Sequence, residues 1–224
     1  IIEGIREETD AVVYPTVPPL GLVGEGTGSA EERYAHHEVL GERGLLEWSV
    51  IDPGSINFTT YDAVAADEPG DIYRNPETHV RRGLEVAERY GSSPSYAIYE
   101  PGFVRLGAAL ADQYPEIGTP IYRFMFTDDY TFNYPPEKYA LDSLRRLLDD
   151  EAGDVPWMIS GLGVDVTPLI EQAVEHGGHV RVGLEDASLG TDLSNVEWVE
   201  RARARIEAAG GEVATPEAVR SELR

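Results

Sequence analysis

The sequence predicts an α/β fold in which strand-like and helix-like segments alternate along the whole chain. Apolar segments with the two-residue period of a strand are followed by amphipathic segments of helical period. No Asn-Gly hairpin turn joins neighbouring strands, and no glycine fingerprint of a dinucleotide-binding fold occurs early in the chain. Helical crossovers between strands imply a parallel sheet. We therefore predict one domain over residues 1–224, a (β/α)8 TIM barrel whose first two strands are absent from this chain; an open doubly wound sheet is the alternative.

The predicted elements begin with a short helix that ends near Arg6, followed by six strands with a helix after each. The strands are expected at 10–16, 46–51, 95–99, 120–126, 156–160 and 178–186. The helices are expected at 30–43, 76–90, 103–114, 136–150, 168–176 and 194–209, with a short terminal helix at 216–223. Ser29 and Glu32 have the spacing of a capping box at the start of the helix at 30–43. Pro76 and Gly91 bound the next helix, as the preference for Pro at the start and Gly at the end predicts. The segments 17–28 and 52–75 are read as long loops.

The charge composition indicates a protein adapted to high salt. Asp and Glu number 41 against 18 Lys and Arg, which gives a net charge of -23, and Lys138 is the sole lysine. The acidic residues are spread along the chain, and the hydrophobic content of 42% still supports a core. In about 1 M salt the Debye length is about 3 Å, so the self-repulsion of such a surface is screened. We expect a halophilic protein, with an acidic mesophilic one as the alternative, and we do not expect it to bind nucleic acid.

Cysteine and membrane-spanning segments are both missing from the sequence. The absence of Cys excludes disulfides and thiolate metal ligands. No apolar run approaches the about 18 residues needed to span a bilayer, and we expect a cytoplasmic protein. Because the chain begins with Ile1 and not with Met, we expect its true N-terminus to lie upstream.

The last predicted strand, 178–186, ends in two adjacent carboxylates, Glu185 and Asp186. In a barrel of alternating strands and helices, catalytic groups lie at the carboxyl ends of strands. This position favours Glu185 as a metal ligand and Asp186 as an acid or base. Two alternatives remain open. The carboxylates are also suited to the first turn of a helix, where they favour the dipole, and Arg181 with Asp186 would also make a structural ion pair.

Several segments resemble the β-keto acid cleavage enzymes. They are residues 177–186 (GGHVRVGLED), Ser194-Asn195, residues 211–218 (GEVATPEA) and residues 54–58 (GSINF). The resemblance implies a (β/α)8 barrel with zinc, or another divalent metal, at its mouth. It also implies a reaction in which a 3-keto acid and acetyl-CoA give acetoacetate and a new acyl-CoA. A homo-oligomer, a tetramer or a dimer, is expected by the same resemblance.

The resemblance assigns roles to individual residues. Glu185 falls on the glutamate metal ligand, and Arg181 and Asp186 fall on the Arg and Asp that act on the substrate. We add four candidate substrate-binding residues: Thr16, the hydroxyl left in the segment that corresponds to a family turn, Ser55 and Asn57 in the family-like GSINF segment, and Glu100 at the end of a predicted strand. For Ser55, Asn57 and Glu100 a role in a turn is the alternative.

The sequence also departs from the family pattern. The family's two other metal ligands form a His-x-His pair, and none of the five histidines here, His36, His37, His79, His176 and His179, forms one. Ala97 replaces a strand glutamate, residues 15–19 read PTVPP where the family has a Thr-Thr-Gly-Gly-like turn, and the loop 161–166 lacks the family's Arg and Gln. Two other hypotheses therefore stand beside keto acid cleavage: a metal-dependent aldolase or lyase that does not use CoA, and a non-catalytic ligand-binding barrel.

Overall fold

A parallel five-stranded sheet forms the centre of the fold in the computed structural model, which describes residues 1–18 and 28–222. The strands are β1 (Trp48–Val50), β2 (Ile56–Phe58), β3 (Asp71–Tyr73), β4 (Ser93–Ile98), β5 (Ile121–Phe126), β6 (Trp157–Gly161) and β7 (His179–Val180). The main sheet has the order β1-β4-β5-β6-β7, and each neighbouring pair is parallel. The predicted parallel sheet is thereby confirmed.

Helices follow the strands as the sequence predicts. They are α1 (Ile2–Glu8), α2 (Ala30–Glu42), α3 (Tyr61–Ala65), α4 (Glu77–Tyr90), α5 (Pro101–Ala111), α6 (Lys138–Ala152), α7 (Ile170–Glu175), α8 (Asn195–Ala208) and α9 (Pro216–Glu222), with a 3-10 turn at Thr167–Leu169. Ser29 and Glu32 form the predicted capping box on α2. Gly91 ends α4 in the left-handed conformation, which a residue without a Cβ adopts at little cost. None of the helices in the described ranges has the length and apolar character needed to cross a bilayer.

The core lies between the sheet and its helices. Every residue of β4 and β5 is buried, as expected for parallel strands covered on both faces. Large side chains fill this layer, and Phe124 of β5 stacks on Trp157 of β6 with ring centroids 5.5 Å apart. Arg123 of β5 is buried as well, although it is a charged side chain within a run of apolar and aromatic residues.

The sheet differs from a complete barrel at its first edge. Residues 10–16, predicted as a strand, carry no strand in the structure, and that prediction is wrong. Tyr14 packs its ring on Trp48 at 5.1 Å, so the segment lies beside β1 without a backbone ladder to hold it as a strand. Within the described ranges β1 and β7 form the two edges, so a closed barrel is not seen. Residues 19–27 of the predicted loop and residues 223–224 lie outside the described residues.

Two further predictions about chain segments are wrong. The segment 52–75, read as a loop without a hairpin, contains an antiparallel ribbon in which Ile56 pairs with Tyr73 and Phe58 with Asp71. No Asn-Gly turn announces it, because α3 forms part of the connection, with the Thr60 side chain as its cap. The strand expected at 178–186 ends at Val180. Beyond it the chain turns, and Gly183, at φ 148°, accepts backbone hydrogen bonds from Asp186 and Ala187.

Candidate functional site

A cavity of about 440 Å³ opens at the carboxyl edge of the parallel sheet. Its walls come from strand ends and from the loops that follow them. The lining residues are Tyr14, Thr16, Val17, Val50, Asp52, Phe58, Tyr73, Tyr99, Arg123, Met125, Gly161, Leu162, Arg181, Glu185 and Asp186. Parallel α/β sheets bind ligands at this edge, so the cavity is the candidate active site.

One wall carries the three residues that the sequence singled out after the last strand. Arg181 Nη2 lies 2.6 Å from Glu185 Oε2, and Arg181 Nε lies 3.2 Å from Asp186 Oδ2. The Ser160 hydroxyl of β6 donates to Asp186 Oδ1 at 3.1 Å. Asp186 is buried, whereas 81% of the Glu185 side chain is exposed. The structure thus brings the predicted pair of Arg181 and Asp186 together at the cavity wall.

Burial sets the acidity of Asp186. It raises the pKa of this carboxyl, while the charge of Arg181 and the hydrogen bond from Ser160 act in the opposite direction. A carboxylate with a raised pKa, held next to a guanidinium, is suited to accept and return a proton. Glu185 is paired with the same guanidinium, but its side chain is exposed.

Backbone contacts fix the turn that carries these carboxylates. The Val164 N–H donates to the Asp186 carbonyl at 3.1 Å, and the Leu184 N–H donates to Asn195 Oδ1 at 2.8 Å. Gly161, at the end of β6, lies so close that a Cβ there would be 2.8 Å from the Asp186 carbonyl oxygen. Asn195, part of the Ser194-Asn195 motif, therefore positions the turn from the start of α8.

A second part of the cavity wall holds a buried pair that the sequence reasoning missed. Asp52 follows β1, and Arg123 lies within β5; their nearest atoms, Asp52 Oδ1 and Arg123 Nη2, are 3.7 Å apart. The Tyr73 hydroxyl donates a short hydrogen bond to Asp52 Oδ2, and the Ala97 N–H donates to Oδ1 at 3.3 Å. Burial and the nearby Asp52 carboxylate raise the pKa of Tyr73 above its usual range, so Tyr73 stays a donor. An arginine within a run of apolar residues was the signal that could have revealed this pair.

The four predicted substrate-binding residues lie in different places. Thr16 lines the cavity, and its carbonyl oxygen is 2.7 Å from His36 Nε2. Ser55 accepts a hydrogen bond from the Asn75 N–H at 2.7 Å, and Asn57 is exposed on β2. Glu100 precedes α5, half-buried, with its pKa raised by burial. Ser55, Asn57 and Glu100 do not line this cavity.

The described residues do not by themselves fit a zinc site. Within residues 1–18 and 28–222, no three His, Asp or Glu side chains lie close enough together to hold a metal ion. Glu185 Oε2 is engaged by Arg181, and both oxygens of Asp186 have partners. A structural zinc ion takes four protein ligands and a catalytic one takes three. Glu185 alone would supply one ligand, so the described residues do not complete either kind of site.

Comparison with known proteins identifies the family. A family model described as "beta-keto acid cleavage enzyme" matches residues 1–224. The chain belongs to the β-keto acid cleavage enzyme family. The resemblance seen in the C-terminal motifs is therefore confirmed over the whole chain.

One curated relative and two solved structures share 15–24% sequence identity with this chain. The chain is 24% identical over 209 residues to a "3-dehydrocarnitine:acetyl-CoA trimethylamine transferase" of Rhizobium meliloti (strain 1021), covering 92% of this chain and 64% of the relative. A structure titled "Binary complex of ObcA with oxaloacetate" is 15% identical with a TM-score of 0.65, covering 100% of this chain and 54% of that one. A "Ternary complex of ObcA with C4-CoA adduct and oxalate" has a TM-score of 0.53 at 15% identity, covering 78% of this chain and 44% of that one. At this identity the solved structures show the fold alone. The chain spans less than two thirds of the length of each of these proteins.

Proposed function

We propose that this family member takes part in acetyl-CoA-dependent cleavage of a 3-keto acid. A keto acid R–CO–CH2–COO⁻ and acetyl-CoA would give acetoacetate and R–CO–SCoA. The observation that carries the proposal is the buried Asp186, hydrogen-bonded by Ser160 and paired with Arg181, at the wall of a cavity at the carboxyl edge of the sheet. The family match, the acetyl-CoA in the name of the Rhizobium relative and the CoA adduct in the ObcA structure title support it.

The proposed chemistry needs one group that takes a proton and later returns it. Asp186 would remove a proton from the carbon between the keto group and the carboxylate, and that carbon would attack the thioester carbonyl with departure of CoA thiolate. The thiolate would then attack the original keto carbonyl, and the bond from that carbon to the acylated carbon would break, which releases R–CO–SCoA. Asp186 would return its proton to the acylated carbon, which gives acetoacetate. Arg181 would stabilise the negative charge that forms beside Asp186.

An Asp186→Asn variant tests this role, with Asp192→Asn as a matched control because Asp192 is exposed and does not line the cavity. Loss of a general base lowers kcat by about 100- to 10,000-fold. Both variants would be purified in molar KCl and assayed for acyl-CoA with a panel of 3-keto acids. Full activity of Asp186→Asn would refute the assignment, and turnover without acetyl-CoA would point to an aldolase or lyase.

Zinc dependence is proposed on the family resemblance, with Glu185 as the ligand from this chain. Since the described residues do not complete a zinc site, no step of the reaction is assigned to the metal. Elemental analysis of the purified protein and of Glu185→Gln tests the proposal. We expect the variant to lose metal and activity together, and a Glu185→Gln protein with full zinc would show that Glu185 is not a ligand. Light scattering in the same buffer tests the proposed dimer or tetramer.

A further inference from the structure

Arg123 is a buried cation with unused hydrogen-bond donors at the cavity wall. Only 5% of its side chain is exposed. Nη2 reaches the Ser95 carbonyl at 3.4 Å and Asp52 Oδ1 at 3.7 Å, and neither contact is short. Nε has no hydrogen-bond partner among the described residues. A buried donor without an acceptor costs folding free energy, so such an arrangement favours a ligand that supplies the acceptor.

The neighbours of Arg123 favour an anion over a cation or an apolar group. Asp52 already accepts hydrogen bonds from Tyr73 and Ala97, so it offers little to a cationic ligand. Ala97 is the residue in register with Arg123 on the adjacent β4, and its methyl group brings no charge to this point. The other arginine of the cavity, Arg181, is occupied by Glu185 and Asp186. Arg123 thus keeps donors for a ligand, whereas Nε and Nη2 of Arg181 are already engaged.

Arg123 lies on a different strand from Asp186, the group proposed to act on the reacting end of the substrate. Arg123 lies on β5, while Asp186 follows β7, and β6 lies between these strands. Neighbouring strands are about 4.8 Å apart, and the Asp186 side chain is hydrogen-bonded to Ser160 of β6, so at least one strand spacing separates Asp186 from β5. A short acyl chain that ends in a hydrogen bond of about 2.8 Å spans a distance of this order.

We propose that Arg123 binds a second carboxylate, at the far end of the acyl group, so that the preferred substrates of the cavity are 3-keto dicarboxylic acids. The reacting part of that substrate rests on the function proposed above, but the binding of a carboxylate by Arg123 does not. A planar guanidinium and a carboxylate form paired, charge-assisted hydrogen bonds, which gives this contact both its strength and its selectivity.

Calorimetric titration with three unreactive probes tests the proposal without turnover. Glutarate, pentanoate and 4-(trimethylammonio)butanoate share one carboxylate and three methylene groups, and they differ only in an anionic, apolar or cationic end. In molar KCl we expect glutarate to bind roughly 10- to 100-fold more tightly than pentanoate. Equal binding of the two, or tightest binding of the ammonium probe, would overturn the proposal.

Variants locate the selectivity at Arg123. In Arg123→Gln we expect the preference for glutarate to fall to within about threefold, and in Arg123→Lys to be partly kept. Arg105→Gln is the matched control, since Arg105 is exposed on α5 and pairs with Glu151. A preference that survives in Arg123→Gln would overturn the proposal. If Arg123→Gln does not fold, the probe ratios of the wild-type protein and Arg123→Lys decide.

Turnover gives a second, separable readout. If the protein cleaves keto acids, kcat/KM should favour 3-oxoadipate over 3-oxohexanoate, which differ by a carboxylate at the far end. Probe selectivity without turnover would support Arg123 and count against the proposed reaction. Turnover without a preference for the diacid would support the reaction and overturn the role of Arg123.

Discussion

One methyl group added at Gly161 should displace the turn that carries Asp186 while the rest of the fold stays in place. A Cβ built there would lie 2.4 Å from the Val164 carbonyl oxygen and 2.8 Å from the Asp186 carbonyl oxygen. Both are backbone atoms, so no side-chain rotation relieves the contact. The turn that carries Asp186 would have to move by about half an ångström. Overpacking of this kind costs about 1–3 kcal/mol of stability.

The same displacement predicts the loss of activity in Gly161→Ala. If a misplacement of 1 Å costs about 100-fold in rate, half of that displacement costs roughly tenfold. Thermal unfolding and keto acid turnover in molar KCl measure both effects. Gly102→Ala is the control, because a Cβ there meets nothing within 4 Å and Gly102 lies in α5, where alanine favours the helix by about 0.5–1 kcal/mol. A Gly161→Ala protein with wild-type stability and turnover would refute the reasoning.

Three further predictions concern pH and salt. Burial lowers the pKa of His37 from 6.5 to about 3, so the unfolded chain binds a proton that the folded one does not in that window. The free energy of unfolding should therefore fall as the pH decreases below 6.5, by up to about 1.36 kcal/mol per pH unit. In His37→Leu this fall should be less steep, whereas the exposed control His176→Leu should keep the wild-type slope. Ser160→Ala removes a hydrogen bond that lowers the pKa of Asp186; the acid limb of the pH–rate profile should move to higher pH, and an unchanged limb would argue against Asp186 as the base. With a net charge of -23, unfolding temperature should drop between about 1 M and about 0.1 M KCl, and a constant value would contradict halophily.

The sequence predicted β1, β4, β5 and β6 and the helices that follow them, because their apolar periods and caps are local signals. It also placed Arg181 beside Asp186, since both lie next to the end of the same short strand. Residues 10–16 show the limit of this reasoning. Their alternation is strand-like, but a strand exists only when a neighbour completes its ladder, and that depends on the whole sheet. The ribbon of β2 and β3 was missed for the related reason that its turn is not a tight one.

Asp52 and Arg123 show why half of the site stayed hidden. They are far apart in sequence, and nothing local pairs an aspartate after β1 with an arginine in β5. Their contact follows from the order of the strands, which places β4 between β1 and β5. A buried charge in a strand predicts a partner without naming it. Arg181, Glu185 and Asp186 needed no such step, because all three lie within six consecutive residues.

The two walls of the cavity act on each other through charge. Burial raises the pKa of Asp186, and Arg181 and Arg123 both lower it. A carboxylate bound to Arg123, as we propose, would offset the positive charge of that guanidinium and weaken its effect on Asp186. The pKa of Asp186 would then rise when a diacid binds, and a carboxylate with a higher pKa is a stronger base. Binding at one wall would in this way prepare the acid–base group at the other. The pKa of the acid limb in the kcat profile should accordingly exceed that in the kcat/KM profile for the diacid, but not for the monoacid. The same difference between the two profiles for both substrates would argue against this coupling.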